Sequence, residues 1–209
     1  MVRTEVLQHY INLTGTKNYL EIGLGAGRNF NQIKCENKTG VDPCDNGSWL
    51  IPNIKIRKRA HSAMPKYKMT SDEFFQESDI GKFGVIMIDG MHLHEYVYRD
   101  ILNSLDILEE GGYIVCHDMN PPNRKMQLRE QTPGEPWNGD CWKAWVKLRS
   151  EKSDLNMFVI DTDNGLGVIS KGSQDTLNVA ADLLTYDNLH ENRREWLNLI
   201  SVEEFKNAR

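Results

Sequence analysis

Two sets of residues in this sequence have types and spacings that suit chemistry. The first is YLEIGLGAGRNF, which places an acid, Glu21, near the end of an apolar run and glycines at 23, 25 and 27 directly after it. Glycine is needed where backbone must turn sharply and come close to a ligand with no Cβ in the way. Asp42 follows 19 residues after Gly23, at the end of the next apolar run, where its carboxylate can accept hydrogen bonds from both hydroxyls of a ribose. Together these residues describe a nucleoside pocket. In the second set, FGVIMIDGMHLH ends an apolar run at Asp89 and puts His92 three residues on, and YIVCHDMN repeats the arrangement with His117 and Asp118.

Neighbouring strands lie about 4.8 Å apart, so Asp89 and Asp118 at two adjacent strand ends can reach one ion. Two carboxylates in a crevice repel each other, and a divalent cation relieves this. Oxygen ligands favour Mg²⁺, Mn²⁺ or Ca²⁺ over zinc. Side chains alternate along a strand, so His117 and Asp118 share a face only where the strand has already ended, and Asp118 is the expected ligand.

Plainer readings stand beside these. The glycines also suit an ordinary strand-to-helix turn, Asp89 and Asp118 suit strand-end capping, and His92 suits a helix start satisfied by backbone. A dinucleotide fingerprint would place its third glycine at position 28, which is Arg28, and no GKS or GKT is present for a P-loop. A nicotinamide-dependent oxidoreductase and a non-catalytic nucleotide-binding module are the competing classes. An iron triad of His92, His94 and Asp118 would need His94 turned toward His92, which a helix opposes, so His94 reads as a helix-surface residue.

At ExGxGxG and the acid after the next strand, the chain resembles the class I S-adenosylmethionine-dependent methyltransferases, over about residues 18–171. The resemblance implies a doubly wound, Rossmann-like α/β fold with a mostly parallel seven-stranded sheet and a terminal antiparallel hairpin. It implies further that the Gly23–Gly27 loop lies against the methionine part of the cofactor, that Asp42 holds its ribose, and that Ser71 and Asp72 of MTSDEFF contact its adenine. For Ser71 and Asp72 a helix N-cap is the alternative. IDGMHLHEYVYRDI followed by GGYIVCHDMNPP is similar to the macrocin O-methyltransferase group, relatives of the catechol-type, metal-assisted enzymes. That likeness implies Asp89 and Asp118 as ligands to magnesium or manganese, Asp89 also serving the cofactor, and His92 as base. It implies a sugar hydroxyl as acceptor, on a deoxyhexose such as rhamnose in a glycan or glycoside. His94 stands where the group has an aromatic or small residue, and Met119 where catechol-type enzymes carry an amide ligand. Asn120, His117 or substrate oxygens are left to complete the metal's shell. The sulfonium supplies an activated methyl group, whereas an alcohol is a poor nucleophile. A cation on its oxygen lowers its pKa and a neutral histidine can take the proton.

Positioning these residues requires a particular set of elements. Val6, Tyr10 and Leu13 lie at helical spacing and stop at Gly15, giving an N-terminal helix within 1–17. Strand-like runs then alternate with helical stretches at YLEIG, TGVDP, FGVIMIDG and YIVCHD, the pattern of a parallel sheet covered on both faces. Val97, Ile101, Leu105 and Leu108 form one helical stripe that Gly111-Gly112 ends. Residues 120–139 carry Pro121, Pro122, Pro133 and Pro136 without a sustained period, and a connection of that length reads as a lid. A helix from Asp140 to about Ser150 follows, then NMFVIDT and GLGVISK flank an Asp163-Asn164 turn as a hairpin. Residues 173–209 read as a polar helical tail. Trp137 and Asp140 are the expected acceptor contacts, aromatic face and carboxylate together suiting a sugar ring, while Trp142 and Trp145 read as core.

With 209 residues, one domain over 1–209 is expected, with 18–171 as cofactor core. Hydrophobic residues at 39% and charged residues at 26% describe a globular chain. A formal charge of −5 without a long basic run argues against binding to duplex nucleic acid, and the longest apolar stretch is far short of a membrane span. No signal-peptide pattern opens the chain, so a cytoplasmic context is expected. Cys35, Cys44, Cys116 and Cys141 have no metal-like spacing and read as reduced thiols. Little length remains for an acceptor domain, so the partners expected are a small-molecule or glycan substrate and, if the chain is one module, the remainder of a larger glycan-modifying protein.

Overall fold

The computed structural model of the chain describes residues 1–43 and 67–208; Cys44 lies outside them. Four strands are the frame: β1 (Asn18–Ile22), β2 (Asn37–Val41), β3 (Phe83–Ile88) and β4 (Leu108–Cys116). They pair in parallel in the order β2-β1-β3-β4, so all four point their carboxyl ends at the same edge of the sheet. A hairpin of β5 (Leu155–Ile160) and β6 (Leu166–Lys171) adds to β4 antiparallel through β6, and β7 (Leu199–Ile200) closes the far side beside β5. The sheet is therefore seven-stranded, mostly parallel, with an antiparallel hairpin, as expected.

Apolar side chains on both faces of these strands explain why helices cover the sheet on both sides. All six residues of β3 are buried. Ile86 and Ile88 pack with Phe74 of α3 (Ser71–Phe74), Val97 and Ile101 of α4 (His94–Asp106), Trp145 of α5 (Cys141–Glu151) and Trp196 of α6 (Tyr186–Leu197). Val85 and Met87 pack on the other side with Val6, Leu7 and Tyr10 of α1 (Arg3–Thr14), Phe30 of α2 (Arg28–Gln32) and Phe205 of α7 (Val202–Asn207). Period-two alternation thus feeds two separate clusters from one strand. Trp142 and Trp145 are fully buried, as their helical spacing suggests, and the Trp145 indole N–H donates to the Leu197 carbonyl at 3.2 Å.

Two boundaries differ from expectation. The α4 helix ends at Asp106, and Leu108 starts β4 opposite Phe83 instead of continuing the helical stripe. Tyr113 then stands opposite Val85, so Gly111-Gly112 belongs to a bulge inside the strand and does not end the helix. The tail is only partly helical: residues 173–180 have no regular structure, and Leu199–Ile200 pairs with Val159 and Ile160 as β7. The polar run masks a two-residue strand that sheet pairing, not local propensity, creates.

Candidate active site

The glycine loop leaves β1 at the carboxyl edge and is held from two sides. Gly23 N–H donates to the Val41 carbonyl at 2.9 Å, and the Asp42 carboxylate accepts from Leu24 and Gly25 N–H at 2.9 and 3.0 Å. Gly23 has a φ of 83°, and a Cβ there would sit 2.0 Å from the Asp89 carbonyl oxygen; the residue lets the ends of β1 and β3 touch. Gly25 is also left-handed, at 51°, but a Cβ there would meet nothing within 4 Å. Of these two, only Gly25 borders open space in which a ligand can lie. Gly27 caps α2. Beneath the loop, buried Glu21 accepts from the Tyr19 hydroxyl and from Asn29 Nδ2, and burial raises its carboxyl to about 7.

The ends of β3 and β4 bring Asp89, His92, His117 and Asp118 together. Ligand-capable atoms of Asp89, His92 and Asp118 all lie within 4.8 Å of one another. His92 stands 3.2 Å from Asp118 through Nδ1 and 3.5 Å from Asp89 through Nε2. His117 Nδ1 stands 3.0 Å from Asp118 Oδ2 and 3.4 Å from Asp89 Oδ1. Strand alternation allowed only one of His117 and Asp118 to face this site, but β4 ends at Cys116 and Asp118 takes a φ of 65°, which turns both inward. A non-glycine residue in that conformation costs energy and recurs at functional sites.

Each carboxylate is fixed by a donor on its other oxygen. Asn138 Nδ2 donates to Asp118 Oδ1 at 2.7 Å, and Arg3 of α1 donates to Asp89 Oδ2. Arg3 also grips Asp163 through Nε at 3.0 Å and NH2 at 3.2 Å, and Asp163 Oδ1 lies 3.4 Å from His117 Nε2. Burial opposes charge on Arg3, Asp89, Asp163, His92 and His117, yet their partners win. Asp89 is held well below the usual carboxylate range by His117, His92 and Arg3, and Asp163 by His117 and Arg3. The carboxylates of Asp89 and Asp118 raise both imidazoles, His117 the more strongly. Three carboxylates stand against one guanidinium, and cationic imidazoles or a divalent ion can balance the remainder.

Other expected site residues are placed elsewhere. Asn120 donates to Asp161 at 2.9 Å and accepts from Arg193, so both ends of its amide are engaged outside the Asp89–Asp118 pair. Asp140 is 1% exposed and accepts from His94 N–H at 2.9 Å and from Arg129 at 2.9 Å; it ties α5 to α4 and presents no carboxylate to an acceptor. His94, Glu95 and Asp140 form a second cluster of ligand-capable atoms, but the Arg129 guanidinium already bridges its two carboxylates, 2.6 Å from Glu95 and 2.9 Å from Asp140. Asp72 pairs with Arg99 at 2.7 Å, Ser71 hydrogen-bonds Asp100, and the cap of α3 is Thr70 in a box with Glu73, one residue earlier than expected. Trp137 lies flat on His92, ring centroids 5.0 Å apart, and its carbonyl is 3.1 Å from His92 Nδ1. Residues 120–139 are thus anchored onto the site through Trp137, Asn138 and Arg129.

Arg3, Asp163 and Asn138 join the site without a sequence motif to mark them. Arg3 reaches the site only through the docking of α1, which no local pattern reveals. Asp163 was readable as a turn residue, and topology adds the rest: a β6 strand antiparallel to β4 must bring the β5–β6 turn to β4's carboxyl edge. Met119 and Asn120 N–H extend that pairing to the Gly165 and Asn164 carbonyls.

Comparisons with known proteins fit this architecture. A family model described as a methyltransferase domain matches residues 20–119. No curated protein matches the sequence. An O-methyltransferase of Streptomyces achromogenes solved with SAM superposes with a TM-score of 0.57 at 12% identity, covering 82% of this chain and 80% of that one. A Bacillus cereus O-methyltransferase in complex with SAH gives 0.53 at 12% identity over 80% and 78%. An SAH-bound methyltransferase of Podospora anserina gives 0.54 at 14% identity over 82% and 78%. The fold is that of class I methyltransferases. No helix among the described residues is long and apolar enough to cross a membrane.

Proposed function

We propose that the chain is an S-adenosylmethionine-dependent O-methyltransferase acting on a sugar hydroxyl, with His92 as general base and a divalent cation held by Asp89 and Asp118. The observation that carries this reading is the single edge at which the open face of the glycine loop, Asp42 and the Asp89–His92–Asp118 cluster converge. Ligands of open α/β sheets bind at that edge. The methyltransferase-domain match over residues 20–119 spans the same elements.

The chemistry divides among the chain's own residues. The loop at Gly25 leaves room for the cofactor, and Asp42 fixes the loop's amides. Methyl transfer breaks the carbon–sulfur bond of the sulfonium and forms a carbon–oxygen bond, and the acceptor's proton must leave. His92 Nδ1 faces the Trp137 carbonyl, so a neutral ring donates there and keeps the Nε2 lone pair for that proton. A bound cation would supply Lewis acidity toward the hydroxyl. Half-buried Trp137 and exposed Met91 and Leu128 offer an apolar face beside His92, which suits the face of a sugar ring. Mass spectrometry of a panel of glycosides incubated with the chain and SAM tests this. A single-methyl gain on a glycoside, lost in His92→Ala, is expected; methylation of non-sugar hydroxyls alone would overturn the sugar assignment, and no transfer to any hydroxyl would overturn the activity.

A further inference from the structure

We propose that His117 is a ligand to the cation through Nδ1, and that this makes the site select first-row transition dications such as Mn²⁺ or Co²⁺ over Mg²⁺. The inference rests on the reading above, that Asp89 and Asp118 hold a divalent ion. Oδ2 of Asp89 is taken by Arg3 and Oδ1 of Asp118 by Asn138, so the oxygens left are Asp89 Oδ1 and Asp118 Oδ2. Those two are the oxygens that face His117 Nδ1, at 3.4 and 3.0 Å. Ligands about 2.1 Å from a metal stand about 3.0 Å apart in an octahedron and about 3.4 Å apart in a tetrahedron. Both separations from His117 Nδ1 fall in the range of ligands on one ion.

His117 itself supplies the independent observation. Its side chain is only 5% exposed, and neither ring nitrogen makes an aligned hydrogen bond despite the nearby carboxylates. Buried polar atoms are almost always partnered by aligned hydrogen bonds, so an imidazole that meets carboxylate oxygens only in misaligned ion pairs points to a missing ligand. The opposite nitrogen, Nε2, faces Asp163, which Arg3 holds in place. A carboxylate behind a histidine is the usual support of a metal-bound imidazole, fixing its tautomer so that the other nitrogen carries the lone pair. His92 faces the same two oxygens, at 3.5 and 3.2 Å, but its Nδ1 also lies against the Trp137 carbonyl, and it is kept as the base.

Selectivity follows from the donor type. Mg²⁺ prefers an all-oxygen shell and keeps its waters, whereas imidazole nitrogen strengthens binding of the later dications. The test is calorimetry of the chelator-treated full chain with MgCl₂, MnCl₂ and CoCl₂, together with electron spin echo spectroscopy of the Mn²⁺-loaded protein for coupled histidine nitrogen. We expect Mn²⁺ and Co²⁺ to bind at least about tenfold more tightly than Mg²⁺, with a nitrogen coupling that survives His92→Ala and vanishes in His117→Ala. His117→Asp should restore Mg²⁺ relative to Mn²⁺. Equal affinity for Mg²⁺ and Mn²⁺ without nitrogen coupling in the wild type would overturn the role of His117 and leave the cation reading intact. No binding of any of the three ions would overturn both. The wild-type measurements decide the matter even if a variant fails to fold.

Discussion

Gly23 and Gly25 belong to one motif, yet alanine at the two positions should fail in different ways. At Gly25 the left-handed backbone alone is penalised, by about 1 kcal/mol, since an added Cβ meets nothing within 4 Å. That corresponds to a melting shift of about 2–4 °C for a chain of this size. The new methyl group would project into the space assigned to the cofactor, and SAH affinity should fall on the order of tenfold or more, about 1.4 kcal/mol. At Gly23 the Cβ would be 2.0 Å from the Asp89 carbonyl oxygen and 2.4 Å from its carbon, both main chain, so the ends of β1 and β3 must separate. Adding the left-handed penalty to an overpacking cost of roughly 1–3 kcal/mol gives about 2–4 kcal/mol. Urea denaturation and SAH calorimetry on both variants separate the effects. A folded Gly25→Ala protein that binds SAH like the wild type would refute the cofactor's placement, and a Gly23→Ala protein as stable as the wild type would refute the packing argument.

His92→Ala should lower kcat by roughly 10²–10⁴-fold while leaving SAH affinity unchanged, as single-turnover kinetics and calorimetry would show. Arg129→Ala removes the clamp between loop 120–139 and the starts of α4 and α5; half-exposed as it is, about 1 kcal/mol of stability is at stake, and the acceptor KM should rise with cofactor affinity intact. Asp100 is buried on α4, and burial raises its carboxyl to about 7. Such a group favours folding while protonated, and stability drains away as pH climbs from about 4 through 7. Asp100→Asn should therefore melt above the wild type at pH 8, bounded by about 4 kcal/mol, and lose that advantage at pH 4.

What was legible in the sequence was whatever a strand end announces. Asp89 and the His117-Asp118 pair close apolar runs, and the glycines after Glu21 mark the first crossover; these residues meet as their positions imply. Legibility failed where contact is made by docking across the sheet. Arg3 lies one turn into a helix with no motif, and Asp163 looks like any turn aspartate until the β4–β6 pairing is known. Asp140 departs from expectation because a carboxylate next to tryptophans looks open to ligands in a sequence, while in the fold it is buried under Arg129 and the start of α4.

Cofactor identity is the most direct test of an S-adenosylmethionine site at this edge of the sheet. Parallel calorimetric titrations of the full chain with SAH and with NAD measure it: stoichiometric SAH binding without NAD binding is predicted, and NAD binding without SAH binding would contradict the account.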